Sequence, residues 1–461
     1  MWFKFMDRLS KSWITLQHMA EGLKSNRIRK IVLASSSAVI HRVVTLGTTL
    51  ISIPLTLNYL GEERFAVWMI VSSILSLMTF SDMGLGNALV NIISGSDASD
   101  NKTDGRVNAC ISTTFFMLVM ISIIGGLTYI AIEEYISWSE IFNVSSDLAK
   151  EESGVVGLLV VAIFLISLPI GLVQKVQMGL QNIHLNNLWL TLGSILSLIG
   201  VLFSVSMKLG LPWLLFSILI GPVIANICNG VKLFFWDRRD LRPNLKKFNI
   251  KELIKVAKIG MLFFLLQISS LAANSLDTIV IAQLLGAKNV AVYAVVKKIF
   301  LLAQLGQYLI SPFWPVFNEA MANDDYKWAK KTLTKIIFLS ISLGLLSTLP
   351  ILLLGDWIIS TWINPELYVP PFLFFGFFLW TILINYGGCM SVFMNSDLFI
   401  KRQLIIVIAA SFASLLFQIL FCSLYGVSGA IYGVLVGHLL FFVYPVHRVA
   451  FGSLNRRINQ P

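Results

Sequence analysis

The feature that most constrains this chain is a recurrence. Apolar runs return along its whole length, parted by short polar or Gly/Pro-containing breaks. A helix needs roughly 20 apolar residues to cross the hydrocarbon core of a bilayer. In lipid every backbone N–H and C=O must be paired, and a helix does this within one segment. Twelve spans are therefore expected. Their cores are 31–59, 64–92, 107–132, 154–181, 186–207 and 211–236, then 259–285, 289–317, 332–358, 372–395, 402–424 and 427–447. Runs 64–92 and 289–317 exceed what a span needs, so each is expected to tilt or break. Composition removes the soluble alternative: 13% of the 461 residues are charged and 56% are hydrophobic, where soluble domains are about 25% charged. Trp213, Trp236, Trp357 and Trp362 fall near predicted span ends, as interfacial anchors do.

Charge bias orients the bundle. Of the 35 Lys and Arg, 26 fall outside the spans or within their first four residues on the side of the two termini, and four (Arg64, Lys150, Lys208, Lys288) on the other. The positive-inside rule puts both termini in the cytoplasm. The net charge of +11 then expresses topology and contact with anionic membrane lipids, not nucleic-acid binding. The expected domains are a basic cytoplasmic segment 1–30, a six-helix bundle 31–236, a linker 237–258 with eight basic residues, a second six-helix bundle 259–451 and a tail 452–461. Segment 1–30 reads either as an amphipathic helix on the inner leaflet or as a basic tail, and not as a cleaved signal. Cys110, Cys228, Cys389 and Cys422 all sit in apolar runs, without metal-site or disulfide spacing.

The halves echo each other. Leu60-Gly61, followed by Phe65-Ala66-Val67-Trp68, matches Leu285-Gly286, followed by Val290-Ala291-Val292-Tyr293. Leu209-Gly210-Leu211-Pro212-Trp213 matches Tyr425-Gly426-Val427-Ser428-Gly429. Each half holds an even number of spans, so the two share one orientation and relate by an axis along the membrane normal. Two like-oriented bundles around a central cleft are the expected fold, that of an all-α polytopic transporter.

Beyond those first residues, five cations fall deeper inside spans: Arg42, Lys175, Lys232, Lys297 and Lys298. A charge at mid-bilayer costs at least ~2.5–3.5 kcal/mol, so it is expected to face a cavity or a partner. Lys232 lies near a span end and can snorkel; Lys175 can either snorkel or bind. Counting from Gly61, Arg42 and Asp82 lie at depths of about 28 and 31 Å. From Gly286, Asp277 lies at about 14 Å, and Lys297 and Lys298 at about 17 and 18 Å. Each hairpin can thus hold an ion pair. Two readings compete: structural locks, or groups lining a passage for an anionic cargo or for protons. Buried pairs rarely add net stability, which favours the second. His41, beside Arg42, reads as a hydrogen-bonded packing residue, and His184, His438 and His447 as interfacial. Pro54, Gly84, Gly86, Pro312 and Pro315 are candidate hinges, since they interrupt the charged hairpins; Pro169, Pro222 and Gly387-Gly388 mark further bends. Asp97, Asp100 and Asp104 lack calcium-loop spacing. No catalytic, nucleotide or metal motif is present, so neither an enzyme nor a cofactor is expected.

Residues 48–95, TTLISIPLTLNYLGEERFAVWMIVSSILSLMTFSDMGLGNALVNIISG, carry Tyr59-Leu60-Gly61-Glu62 with Phe65 and Trp68, then Asp82-Met83-Gly84-Leu85-Gly86. With 274–299, NSLDTIVIAQLLGAKNVAVYAVVKKI, and Gly179-Leu180-Gln181-Asn182, the chain resembles Wzx-type O-antigen/polysaccharide flippases. These form the polysaccharide-transport branch of the multidrug/oligosaccharidyl-lipid/polysaccharide exporter superfamily. The resemblance implies translocation of an undecaprenyl-diphosphate-linked oligosaccharide from the cytoplasmic to the periplasmic leaflet of the bacterial inner membrane. It implies alternating access, coupled to protons or Na⁺ as an antiporter, with a glycan polymerase and chain-length regulator as partners. Arg42, Lys175, Lys297 and Lys298 are then the expected phosphate or acidic-sugar contacts, and Asp82 and Asp277 the groups that hold those cations or carry the coupling ion. A cation-coupled multidrug exporter of the same superfamily is the first alternative, and a membrane glycan polymerase or ligase the second.

Overall fold

In a computed structural model the described residues are 26–61, 63–65, 67–68, 70–71, 82–96, 101–142, 144–362, 369–396 and 398–459. Segment 1–30 therefore lies outside them up to residue 25, as do Asp97 and Asp100, Glu62 and residues 72–81 of the 48–95 stretch. The described residues are helical, with no strand among them. They form two compact units, Met1–Gly260 and Met261–Pro461. Among the described residues, eight helices are long and apolar enough to cross a bilayer. The last is a helical run from Ile400 to Asn459 that folds back on itself, as shown below. Much of the helix surface is exposed and apolar, including Ile123, Leu127, Ile130, Leu346 and Leu416. This is the inverse of a soluble bundle and suits a hydrocarbon solvent.

The first unit contains α1 (Asn26–Leu60), α2 (Leu85–Ser94), α3 (Asn101–Ile132), α4 (Asp147–Ile170), α5 (Leu172–Gly179), α6 (Ile183–Ser206) and α7 (Leu211–Lys232). It also takes in the start of α8 (Ile250–Leu285). Proline in a helix frees the carbonyl four residues earlier, and in lipid that carbonyl needs a new donor. Pro169 frees Leu165, whose oxygen accepts from Ser122 Oγ of α3 at 2.8 Å. Pro222 frees Ile218, whose oxygen accepts from Ser197 Oγ of α6 at 2.8 Å. Pro54 lies within α1, which continues unbroken to Leu60.

Polar side chains also join α1 to α6. Asn187 Nδ2 donates to Ser37 Oγ at 2.9 Å, Thr191 Oγ1 lies 3.3 Å from His41 Nδ1, and Thr45 Oγ1 lies 3.4 Å from Ser194 Oγ. The steps of four on α1 and three to four on α6 make one seam between parallel helices. Segment 237–258 is docked rather than loose. Asn108 Nδ2 donates to the carbonyls of Asp240 and Arg242, Ser112 Oγ accepts from Asn244 N at 3.0 Å, and Arg106 pairs with Glu252 at 3.0 Å. Leu241 and Val256 are fully buried in the same region.

The second unit contains the rest of α8, α9 (Ala287–Ala303), α10 (Phe313–Ala322), α11 (Tyr326–Trp362), α12 (Pro371–Met394), α13 (Ile400–His438) and α14 (Tyr444–Asn459). The long run 289–317 is broken between Ala303 and Phe313. Pro312 is the N-cap of α10 and Pro315 sits in its first turn, where no intrahelical N–H bond is lost. The tail begins as helix, since α14 runs to Asn459.

Within α13 the backbone at Gly426 takes φ 67° and ψ −151° and the helix reverses. Gly429, Gly433 and Gly437 then lie against Phe421, Phe417 with Gln418, and Ser414 of the opposite arm. Only hydrogens fit there, and the close contact stands in for the missing hydrophobic drive between helices in lipid. Gly210, the echo of Gly426, has φ 83° and ψ 179°; this region is in practice open to glycine alone. Gly61 and Gly286, the other echoing pair, also have positive φ, at 76° and 84°. The sequence repeat thus marks equivalent chain reversals in the two units.

Candidate functional site

Among the described residues each unit carries a polar node built around a carboxylate and a lysine. In the second unit the node is built on α8 and α9, with Gly286 as the turn between them. Lys297 Nζ donates to Asp277 Oδ2 at 2.5 Å, with side chains 22% and 6% exposed. Asp277 Oδ1 accepts from the Thr278 N–H at 2.8 Å. Tyr293, one turn before Lys297 on α9, faces the same carboxylate. Hairpin depth brought Asp277 to both lysines, and the structure selects Lys297. Lys298 is exposed and makes no ion pair among the described residues.

The pair opens onto a cavity of about 240 Å³ in this unit, lined also by Tyr293, Gln307, Trp380 and His438. Gln307 Nε2 donates to the Ile384 carbonyl at 2.7 Å. Asn385, fully buried beside it, accepts from Ser340 Oγ at 2.8 Å. His438 stacks on Phe442 at 4.6 Å and meets the edge of Trp380 at 5.0 Å. The interfacial reading of His438 is thereby corrected: the fold-back at Gly426 carries it into the cavity. Gly387 and Gly388 act as clearances, since a Cβ on them would meet His438 Nε2 at 3.3 Å and Gln307 Oε1 at 2.7 Å.

In the first unit the node forms where the chain turns into α2. Asp82 Oδ1 accepts from the Gly84 N–H at 2.9 Å and Oδ2 from the Gly86 N–H at 3.3 Å. The carboxylate thus serves the free amides at the start of a wholly buried helix. Gly84 has φ 72°, and a Cβ at Gly86 would meet Asp82 Oδ2 at 2.7 Å and Lys175 Cγ at 2.8 Å. Lys175, on α5, donates to Asn87 Oδ1 at 2.6 Å and lies within the field of Asp82. It does not snorkel. Below it Gln174 donates to Asn226 at 3.0 Å and Gln177 to Asn229 at 2.6 Å. The Arg42–Asp82 pair expected from depth is corrected: Asp82 gives its oxygens to backbone amides, and Arg42, partly buried on α1, stands beside the His41 seam. Equal depth does not bring two side chains together when the second span breaks and its acid turns inward as a cap. The amide ladder, the Pro–Ser compensations and the Tyr293–His438 cavity were missed in the sequence, because isolated polar residues in apolar runs show no pairing until helices are packed.

The end of the unit holding Gly61 is knitted by the 48–95 stretch. Tyr59 Oη accepts from the Gly210 N–H at 3.0 Å, Arg64 pairs with Glu152 at 3.5 Å, and Glu152 Oε1 accepts from the Leu211 N–H at 3.1 Å. Phe65 meets Trp68 edge to face at 5.1 Å. Glu63 Oε1 accepts from Ser145 N, Ser145 Oγ and Ser146 N at 2.6, 2.9 and 3.1 Å. The Ser146 and Ser145 hydrogen bonds pull its carboxyl down to about 2.

A family model described as polysaccharide biosynthesis protein matches residues 34–321. A Salmonella typhi protein named as an O-antigen transporter is 26% identical over 442 residues, 92% of this chain and 97% of that one. A Yersinia pseudotuberculosis protein named as an O-antigen export protein is 25% identical over 381 residues, 80% of this chain and 84% of that one. Among solved structures, a multidrug resistance MATE family transporter of the MOP superfamily, in an outward-facing conformation, aligns with TM-score 0.78 at 16% identity. The alignment covers 96% of this chain and 99% of that one. A MOP superfamily transporter from Pyrococcus furiosus, described as having a binding pocket of reverse polarity, aligns with TM-score 0.77 at 15% identity, covering 96% and 99%. These likenesses place the fold: an all-α polytopic membrane protein of the type with 12 transmembrane helices in two bundles.

Proposed function

Since the chain belongs to the polysaccharide biosynthesis protein family, we propose that it is an O-antigen or related surface-glycan flippase. The cargo is an oligosaccharide carried on undecaprenyl diphosphate. It moves from the cytoplasmic to the periplasmic leaflet of the bacterial inner membrane by alternating access, and the two termini stay in the cytoplasm. The observation that carries this reading is a lysine–carboxylate pair lining a cavity inside a membrane-spanning unit, in a chain with a relative along 92% of its length that is named for O-antigen transport.

The chemistry follows from the pair. A diphosphate offers strong acceptor oxygens, and a charge-assisted hydrogen bond from Lys297 to phosphate competes with the one to Asp277. When cargo takes Lys297, Asp277 must find another cation, a proton or Na⁺. Cargo and ion occupancy are thereby linked at one carboxylate. Lys175 is the corresponding donor in the first unit, with Asn87 holding its ammonium group and Asp82 supplying the opposing charge. Arg42 and Lys298 are further cargo contacts in this reading. The glycan and the polyprenyl tail need no covalent change, so no catalytic group is required.

The test is a deletion strain complemented with the wild type or with Lys297→Ala, assayed for lipid-linked glycan in each leaflet. Wild type is expected to clear the inner leaflet. Lys297→Ala, at equal abundance, is expected to accumulate cargo there. Normal export by Lys297→Ala would refute the role of the pair, and loss of polymerisation with translocation intact would point to a polymerase instead. Collapsing the proton or Na⁺ gradient in turn identifies the coupling ion.

A further inference from the structure

At the start of α11, Lys327, Lys330, Lys331 and Lys335 recur at three- and four-residue steps. With Thr334 and Phe338 of α11 and Ile458 of α14 they line one groove of about 670 Å³. Its walls are joined from behind. Ala329 and Leu333 of α11 and Ala450 and Leu454 of α14 are fully buried, and Arg457 of α14 donates to Tyr326 Oη at 2.6 Å. None of the four ammonium groups makes an ion pair among the described residues. The neighbouring acid Asp324 accepts from the Tyr326 hydroxyl instead. Like charges at such spacing repel and cost helix stability, so a face that keeps four of them calls for an outside anion.

The same face continues as an apolar one. Phe338, Leu346, Leu349 and Leu353 are exposed and follow Lys327, Lys331 and Lys335 at helical spacing. Lys335 sits at the edge of the apolar stretch, with Lys331 about 6 Å and Lys327 about 12 Å further out along the axis. A headgroup layer is some 5–8 Å deep on each side of the hydrocarbon core. Phosphate charges and acyl chains of one molecule thus have matching surfaces in register.

We propose that this groove is a binding site for an anionic phospholipid, whose phosphate sits among Lys327, Lys330, Lys331 and Lys335 and whose chains lie along Phe338 and Leu346. The charge pattern and its apolar continuation choose a lipid over a free anion or a protein partner. The assignment stands apart from the transport reading.

The full chain, purified in detergent, would be titrated with phosphatidylglycerol, phosphatidylcholine and inorganic phosphate, with bound lipid counted by native mass spectrometry. Phosphatidylglycerol is expected to bind, phosphatidylcholine to bind weakly, and phosphate alone to displace little. Each lysine changed to Gln should weaken phosphatidylglycerol about fivefold, tested first with Lys330→Gln/Lys331→Gln and then with all four. Replacing all four by Arg keeps the charge and should keep binding. Equal binding of the two lipids, or unchanged binding in the Gln variants, overturns the site. Retention by free phosphate alone overturns the lipid assignment, and so does preference for a polyprenyl diphosphate over phosphatidylglycerol. Misfolding of the fourfold variant leaves the double variant and the Arg variant to decide.

Discussion

Asp277 and Lys297 show at residue scale how a polar pair is kept in an apolar solvent. The carboxylate accepts from Lys297 and from the Thr278 amide, and Tyr293 lines the same cavity. Removing one partner leaves the other buried without its counter-charge, whereas neutralising both does not. Asp277→Asn and Lys297→Gln are each expected to lower stability by about 3 kcal/mol, read as thermal unfolding in detergent. The double variant should regain most of that stability without regaining export. Equal stability of single and double variants would show that the pair is not energetically coupled. Glu63 offers a second residue-scale test. Its carboxyl is held below its ordinary value of 4.5, at about 2, by hydrogen bonds that need the charged form. The support it gives to the 145–146 turn is complete above pH 4.5 and is lost as pH falls towards 2. Glu63→Gln should speed hydrogen exchange at the Ser145 and Ser146 amides at neutral pH, while exchange at Leu211 stays unchanged.

At the scale of elements, two prolines and two serines make a common device. Pro169 and Pro222 leave the Leu165 and Ile218 carbonyls without helical donors, and Ser122 and Ser197 supply hydroxyls from neighbouring helices. Ser122→Ala and Ser197→Ala should each cost about 1 kcal/mol in detergent unfolding. Paired with Pro169→Ala or Pro222→Ala, which restore the intrahelical bond, the cost should fall away. Persistence of the full cost would mean that the serines act through packing alone. The serines are unremarkable in the sequence, because a hydroxyl in an apolar run reads equally well as bonded to its own helix. The breaks themselves were legible: run 289–317 was too long for one span, and it is interrupted between Ala303 and Phe313.

At the scale of the whole molecule, the solvent decides the surface. Cys110, Cys389 and Cys422 are buried, whereas Cys228 is exposed in an apolar groove with Trp189, Val231 and Trp236. In an intact bilayer a lipid-soluble maleimide should modify one thiol per chain, and a charged, impermeant reagent none. After denaturation all four should react. Rapid labelling of Cys228 by the charged reagent would mean that this face of α7 meets water.

The amino-acid sequence by itself determined the medium and the class of fold. Long apolar runs admit only helices in lipid, and four echoing glycines mark chain reversals that only a residue without Cβ adopts easily. Depth along each hairpin could also be counted, since helical rise is constant, and that brought Asp277 near Lys297. Rotation about each helix axis was left open, and tertiary packing alone set it. Packing chose Lys297 over Lys298, turned Asp82 from Arg42 to the amides of Gly84 and Gly86, held Lys175 against Asn87, and swung His438 into a cavity. A side chain's axial height is written in its position in the chain, but the direction it faces depends on every neighbour that the helix packs against.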